Sequence, residues 1–159
     1  MRCPACGFAN LEGADECDSC HAALTQPAAA RGIERRILEG SVRALRPKPA
    51  LTIGPVAPVS EAVERMRTAK VGCLLVIEDG KLVGVLSERE LLHNSIDPLA
   101  LAGSVGALMR ADATCLREED SVADAFHAMA VTGHRHLPVA RAGGYSVVSV
   151  RDLLHYLCA

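Results

Sequence analysis

Four cysteines near the start of the chain carry the most specific chemistry in the sequence. Cys3, Cys6, Cys17 and Cys20 follow the pattern CxxC, ten residues, CxxC, a spacing that lets two tight turns present four thiolates to one tetrahedral ion. Gly7 supplies the permissive backbone such a turn needs just after its second ligand. Four thiolates leave no open coordination position, so the expected metal is a structural Zn2+ rather than a catalytic one. The readings that compete with zinc are iron in the same ligand set and redox-active thiols. Residues 1–24 have few large apolar side chains and cannot fold around a core of their own, so metal binding has to supply the folding energy. His21 directly follows the last cysteine and reads as a surface residue rather than a substitute ligand.

The second candidate chemistry is a Ser-x-x-acid element written twice, in VLSERELLH at 85–93 and VVSVRDLLH at 147–155. One explanation of Ser87/Glu90 and Ser149/Asp152 is a capping box. There the serine oxygen accepts from the backbone N–H three residues on, and the acid returns to the serine N–H. The remaining cysteines, Cys73, Cys115 and Cys158, have no basic partner arranged nearby and read as small buried apolar residues. No nucleophile with a base and no glycine-rich phosphate loop is present, so the chain does not read as an enzyme.

The elements that must position these residues form an internal repeat. GSVRAL at 40–45 returns as GSVGAL at 103–108, and the same offset of 63 pairs Val59, Ala62, Val63 and Met66 with Val122, Ala125, Phe126 and Met129. Leu74 and Val76 pair with Leu137 and Val139; after one dropped residue an offset of 62 pairs Ser87, Arg89 and His93 with Ser149, Arg151 and His155. The chain therefore holds two copies of one supersecondary unit. Val59, Ala62, Val63 and Met66 have the i, i+3, i+4, i+7 spacing of a helix lying on a core, with Pro58 in its first turn. CLLVI at 73–77 and LVGVL at 82–86 read as two strands around an Asp-Gly turn, and HLPVA at 136–140 and YSVVS at 145–149 as their counterparts. Each unit runs β-α-β-β-α behind a short Ser-capped helix. Neither copy is large enough to bury its sheet alone, so the pair is expected to share one core.

Composition sets the bounds. Half of the 159 residues are hydrophobic, enough for one compact body plus a small satellite. The longest apolar stretch, VGCLLVI at 71–77, is too short to span a bilayer, and MRCPACGF lacks the apolar segment of a secretory signal; a cytoplasmic protein with no membrane association is expected. The net charge of −2 conceals a basic stretch at residues 31–48, with six basic and two acidic groups. This segment reads as an amphipathic linker with Ile33, Ile37 and Leu38 on one side. It also offers nucleic acid a cationic surface, although two Phe, two Tyr and no Trp leave little for base stacking. The expected organisation is a metal module at 1–24, a basic helical linker at 25–39, and repeat units at 40–98 and 99–159.

These motifs carry two resemblances. The CPxC–CxxC stretch resembles the short zinc-ribbon modules of many bacterial and archaeal proteins, departing from them at His21, which stands where the second knuckle usually has glycine. Such ribbons dock proteins or bind nucleic acid. The repeat resembles a tandem pair of CBS domains, a Bateman module, on the SVxAL entry helix, the VxxAVxxM and VxxAFxxM helices, HLPV, and the junctions GVLSERE and SVVSVRD. That resemblance implies an α/β repeat fold, commonly a homodimer, and a regulatory role. It also implies that AMP, ADP, ATP or S-adenosylmethionine binds between the two units. It further implies that the junction serine and acid grip a ribose, a role to which the shorter Asp152 is better suited than Glu90, whose carboxylate reaches about 1.5 Å farther. Ser149 and Asp152 therefore read as the working site, and Ser87 and Glu90 as the more structural pair. Further contacts carried over by position are Thr52 and Ile53, Cys115 and Leu116, and Leu74 and Leu137 near the adenine, with Arg135 and His136 toward phosphate. Arg89 and Arg151 read as solvated helix surface. The leading expectation is an adenine-nucleotide sensor whose ribbon docks a protein partner; the alternative is a nucleic-acid-binding factor using ribbon and linker.

Overall fold

The computed structural model describes residues 1–24, 28–94 and 102–158 and divides into two compact units, Met1–Arg36 and Ile37–Ala159.

In the first unit the two CxxC turns are built alike. The N–H of Gly7 donates to the Cys3 carbonyl, and the N–H of His21 to the Cys17 carbonyl, both at 2.9 Å. The N–H groups of Cys3 and Cys17 donate onward to the carbonyls of Phe8 and Ala22. Gly7 has φ +76, the left-handed conformation that closes such a knuckle. His21 adopts the same region at φ +57, so the departure from glycine is absorbed by a strained but tolerated backbone. Helix α1 (Ala28–Glu39) follows. Its apolar positions Ile33 and Leu38 are 41% and 66% exposed, so the apolar side expected at Ile33, Ile37 and Leu38 is largely uncovered. The expected linker start at 25–27 and the expected unit boundary at 98/99 lie outside the described residues.

The second unit holds both copies. A 3-10 turn at Val42–Leu45 leads to β1 (Lys48–Pro49) and β2 (Thr52–Ile53); α2 (Val59–Ala69), β3 (Cys73–Glu78), β4 (Lys81–Ser87) and α3 (Glu88–Asn94) complete the first copy. The second copy has α4 (Val105–Leu108), β5 (Leu116–Arg117), α5 (Val122–Thr132), β6 (His136–Arg141), β7 (Gly144–Ser149) and α6 (Val150–Cys158). In each copy a short strand lies parallel to the first hairpin strand, and the hairpin is antiparallel. The helical stripes face inward as the spacing requires, with Val59, Ala62 and Met66 and their counterparts Val122, Ala125 and Met129 buried. Pro58 sits one residue earlier than expected, just ahead of α2 rather than in its first turn. Ser41 and Ser104 precede their short helices but make no side-chain cap. The side-chain cap forms instead at Ser121, whose Oγ accepts from the Asp124 N–H at 3.0 Å.

The entry helices are exchanged between the copies. Val42 and Leu45 pack with Leu116, Val122, Leu137 and Val148 in the second core. Val105 and Leu108 pack with Ile53, Val59, Leu74 and Leu86 in the first. Backbone bonds fix the exchange: the N–H of Val122 donates to the Gly40 carbonyl at 2.8 Å, and that of Val59 to the Gly103 carbonyl at 3.1 Å. Strand β1 goes with its entry helix and pairs with β7, Lys48 opposite Val147. The expected single core is in fact two, joined by a third cluster in which Cys73, Leu75 and Val85 meet Tyr145 and Val147. The face of β3 turned away from α2 is buried in this cluster, so β3 is apolar nearly throughout rather than alternating. Of the three single cysteines only Cys73 is buried; Cys115 and Cys158 are exposed, because Cys115 directly precedes the short β5 and Cys158 ends the last helix.

Candidate functional site

The two strand-to-helix junctions share one backbone closure. At each, the first helical N–H closes back on the carbonyl ahead of the hairpin's first strand, Glu88 onto Gly72 and Val150 onto Arg135, both at 3.0 Å. At the second junction the Ser149 N–H and Oγ donate to Asp152 Oδ2 at 2.8 and 2.6 Å, and the Asp152 N–H returns to Ser149 Oγ at 3.3 Å, a complete capping box. At the first, Ser87 donates through N–H (3.0 Å) and Oγ to Glu90 Oε2, but Ser87 Oγ accepts from the Arg89 N–H rather than from that of Glu90. The reciprocal box thus closes on the aspartate rather than the glutamate.

Each acid also meets a cation from the exchanged entry segment. Lys48 Nζ lies 3.0 Å from Asp152 Oδ1, so both oxygens of that carboxylate are engaged. Burial raises the Asp152 pKa, but the Ser149 hydroxyl and Lys48 outweigh it and hold the group below the ordinary aspartate value. Arg110 Nη1 stands 3.7 Å from Glu90 Oε1, beyond hydrogen-bond reach.

A cavity of about 600 Å³ opens at the first junction, within the range of small-molecule sites. Its wall takes Ser87, Glu88 and Arg89 from the first copy and His134, Arg135 and His136 from the second, with Arg110 between them. Gly72 belongs to the same wall; a Cβ there would stand 2.9 Å from the His136 ring, so a larger residue would require that ring to shift. Arg89 Nη1 donates to the Gly133 carbonyl at 3.0 Å, a bond between the copies where solvated surface was expected. Burial pushes the pKa of His134 and His136 down; Arg110 adds to this at His134, while Glu88 opposes it at His136.

The structure therefore brings Ser87, Arg135 and His136 to one hollow. Glu90, Ser149 and Asp152 are not among its lining residues. Ile53, Leu74, Leu116 and Leu137 are 5% exposed or less and their side chains fill the two cores, because the strands turn them toward the helices. Thr52 and Cys115 are exposed. Arg110 was missed by sequence reasoning: it lies in a connecting stretch with no motif, and only its pairing opposite Val85 reveals it as the counterpart of Lys48.

The four N-terminal cysteines converge, with all four Sγ atoms within 4.8 Å of one another. Cys3–Cys20 and Cys6–Cys17 Sγ separations are 3.7 and 3.6 Å, close to the edge of about 3.8 Å that a tetrahedron of Zn–S bonds requires. The donor set fits such an ion. Asn10, 7% exposed, donates to Cys17 Sγ at 3.6 Å and accepts from the Asp18 N–H at 3.0 Å, an outer contact that orients a ligand.

A family model described as "CBS domain" matches twice, at residues 42–97 and 105–159. An uncharacterized 17.7 kDa protein from Acidianus ambivalens, encoded in the bps2 3′ region, is 31% identical over 108 residues, 66% of this chain. The match spans 65% of that relative's length. The crystal structure of the CBS domain NE2398 matches with a TM-score of 0.69 and 27% identity, over 75% of this chain and 98% of that one. That of CBSX2 in complex with AMP matches with a TM-score of 0.61 and 27% identity, over 72% of this chain and 93% of that one.

Proposed function

The chain belongs to the CBS domain family, carrying the domain twice, and from this we infer that it is a regulatory module that senses an adenine nucleotide in the hollow between its copies. The observation that carries the reading is the cavity at Ser87, walled by both copies and lined by Arg89, Arg110, Arg135 and His136. The likeness to CBSX2, which was crystallised with AMP, supports the ligand class. Ligand is held at the first junction, where the hollow lies; at the second, Asp152 is committed to Ser149 and Lys48 and receives a ribose only if the lysine withdraws.

A molecule wedged between the copies favours one arrangement of them over another, and its differential affinity for the two is the signal. The equivalent apolar positions Val63 and Phe126, 41% and 46% exposed on α2 and α5, support a homodimer formed through these helices. The cysteine module holds a structural Zn2+ on Cys3, Cys6, Cys17 and Cys20 and docks a protein partner.

Native mass spectrometry of the purified full chain tests the reading. It is expected to report one zinc per chain, a dimer, and a mass increment matching AMP, ADP, ATP or S-adenosylmethionine, either carried through purification or acquired on addition. A protein that takes up none of the four at millimolar concentration overturns it.

A further inference from the structure

Arg89 ties the start of one copy's last helix to the end of a helix in the other. Its Nη1 donates to the Gly133 carbonyl at 3.0 Å, across 44 residues of sequence, and both residues line the hollow. Its backbone belongs to the first junction, where its N–H donates to Ser87 Oγ at 3.2 Å. Gly133 is the C-cap of α5, with φ +67 and its N–H on the Met129 carbonyl. The last carbonyls of a helix lack intrahelical donors, and a cation placed on them is favourable. The bond therefore holds the last turn of α5 from across the boundary between the copies.

The second junction lacks this tie, and the repeat shows why. The counterpart of Gly133, at the offset of 63, is Lys70, which also caps its helix in the left-handed conformation, at φ +54. A Cβ on Gly133 would stand 3.3 Å from Arg89 Nη1. Glycine thus leaves its carbonyl open to the guanidinium, whereas lysine brings a bulky side chain and a like charge. Among the described residues Arg151, the counterpart of Arg89, makes no hydrogen bond to Lys70. The copies are therefore alike in their backbone caps and unlike in the one side chain that crosses between them.

Resting on the nucleotide reading above, we propose that Arg89 is a relay, a positioning residue through which a molecule in the hollow moves the end of α5. The occupant and the Gly133 carbonyl meet the same side chain, so occupancy changes where the guanidinium stands and, with it, the last turn of α5. That helix carries the exposed Phe126, so the change reaches the outer face of the second copy. No equivalent path runs to α2, because Lys70 closes that helix against Arg151. The signal leaves the hollow on one side only.

Amide hydrogen exchange of the full chain, read by NMR, tests this. The probe is the tightest binder among AMP, ADP, ATP and S-adenosylmethionine, used at a concentration that calorimetry shows to saturate each protein. Arg89 is exposed, so Arg89→Met keeps the fold. Without ligand, Arg89→Met is expected to raise exchange at Ala130–Thr132 about threefold, as the last turn frays. The same substitution is expected to have no effect in a Gly133→Lys background, which reproduces the cap of α2 and has already lost the bond. In the wild type, saturation with the probe is expected to change exchange at these amides about threefold, and in Arg89→Met to leave it unchanged. Equal responses in the two proteins overturn the relay and leave the nucleotide reading standing. So does an Arg89→Met protein that no longer binds the probe, since Arg89 is then a recognition residue only. An effect of Arg89→Met that persists in Gly133→Lys also overturns the relay. A wild type that binds none of the four probes overturns the nucleotide reading and the relay together.

Discussion

Lys48 and Arg110 are counterparts in the two copies: Lys48 lies opposite Val147 on β7, and Arg110 opposite Val85 on β4. Each is brought by the exchanged entry segment to the acid of the other copy's junction, Asp152 at 3.0 Å and Glu90 at 3.7 Å. The difference in closure separates a junction locked by its own residues from one with a cation left facing a hollow.

The lock itself makes a modest contribution. Lys48 is 74% exposed, and ion pairs of that kind are worth about 0–1 kcal/mol, whereas losing a helix N-cap costs about 0.5–2 kcal/mol. Ser149→Ala is therefore expected to lower urea stability more than Lys48→Met. The reverse order would mean that the capping box does not hold the start of α6. Asp152 has a depressed pKa, so its share is present at neutral pH and is lost as acid protonates it below the ordinary aspartate range.

The exchange of entry helices has its own signature. Leu45, 4% exposed, belongs by sequence to the first copy and packs in the second core. Leu45→Ala is expected to cost about 2–5 kcal/mol, with the loss of amide protection greatest around Leu116, Val122 and Leu137. Protection lost around Leu74 and Leu86 instead would contradict the exchange.

Metal removal is expected to act locally. Chelation, or Cys17→Ser, should collapse the amide dispersion of residues 1–24, whose knuckle hydrogen bonds are too few to hold the segment without the ion, while the thermal transition of residues 37–158 shifts little. A ribbon still folded without metal would exclude a structural ion.

The cavity histidines give a pH dependence. Burial depresses the pKa of both His134 and His136. Glu90, Arg89 and Arg110 face His134; Glu88, Asp152, Arg135 and Arg151 face His136. The unfolded chain binds these protons first, so stability is full above the ordinary histidine value and declines as pH falls through the depressed values. Bound phosphate stabilises the protonated rings, so ATP affinity is expected to rise over the same interval, with proton uptake seen as buffer-dependent heat. Affinity flat from pH 7.5 to 5.5 would remove the histidines from the site.

The repeat, the strand–helix order and the clustering of Cys3, Cys6, Cys17 and Cys20 were legible because each rests on local periodicity or spacing. The exchange of entry helices was not: identical SVxAL segments fit either core, and nothing within one copy says which it chooses. The state of the junctions was legible only in part. The serines and acids could be named, but the choice of Asp152 over Glu90 rested on side-chain length, whereas the cation supplied from a distant segment decides which acid is engaged. Arg110 carries no motif, and its position follows from a single backbone pairing with Val85 that only the fold supplies.

The central claim is that an adenine nucleotide binds between the copies at the first junction. Amide NMR of the full chain titrated with ATP tests it most directly. Saturable shifts largest at Gly72, Ser87, Arg89, Arg110 and Gly133–His136 are expected, whereas an unchanged spectrum, or shifts confined to residues away from this hollow, would contradict the account.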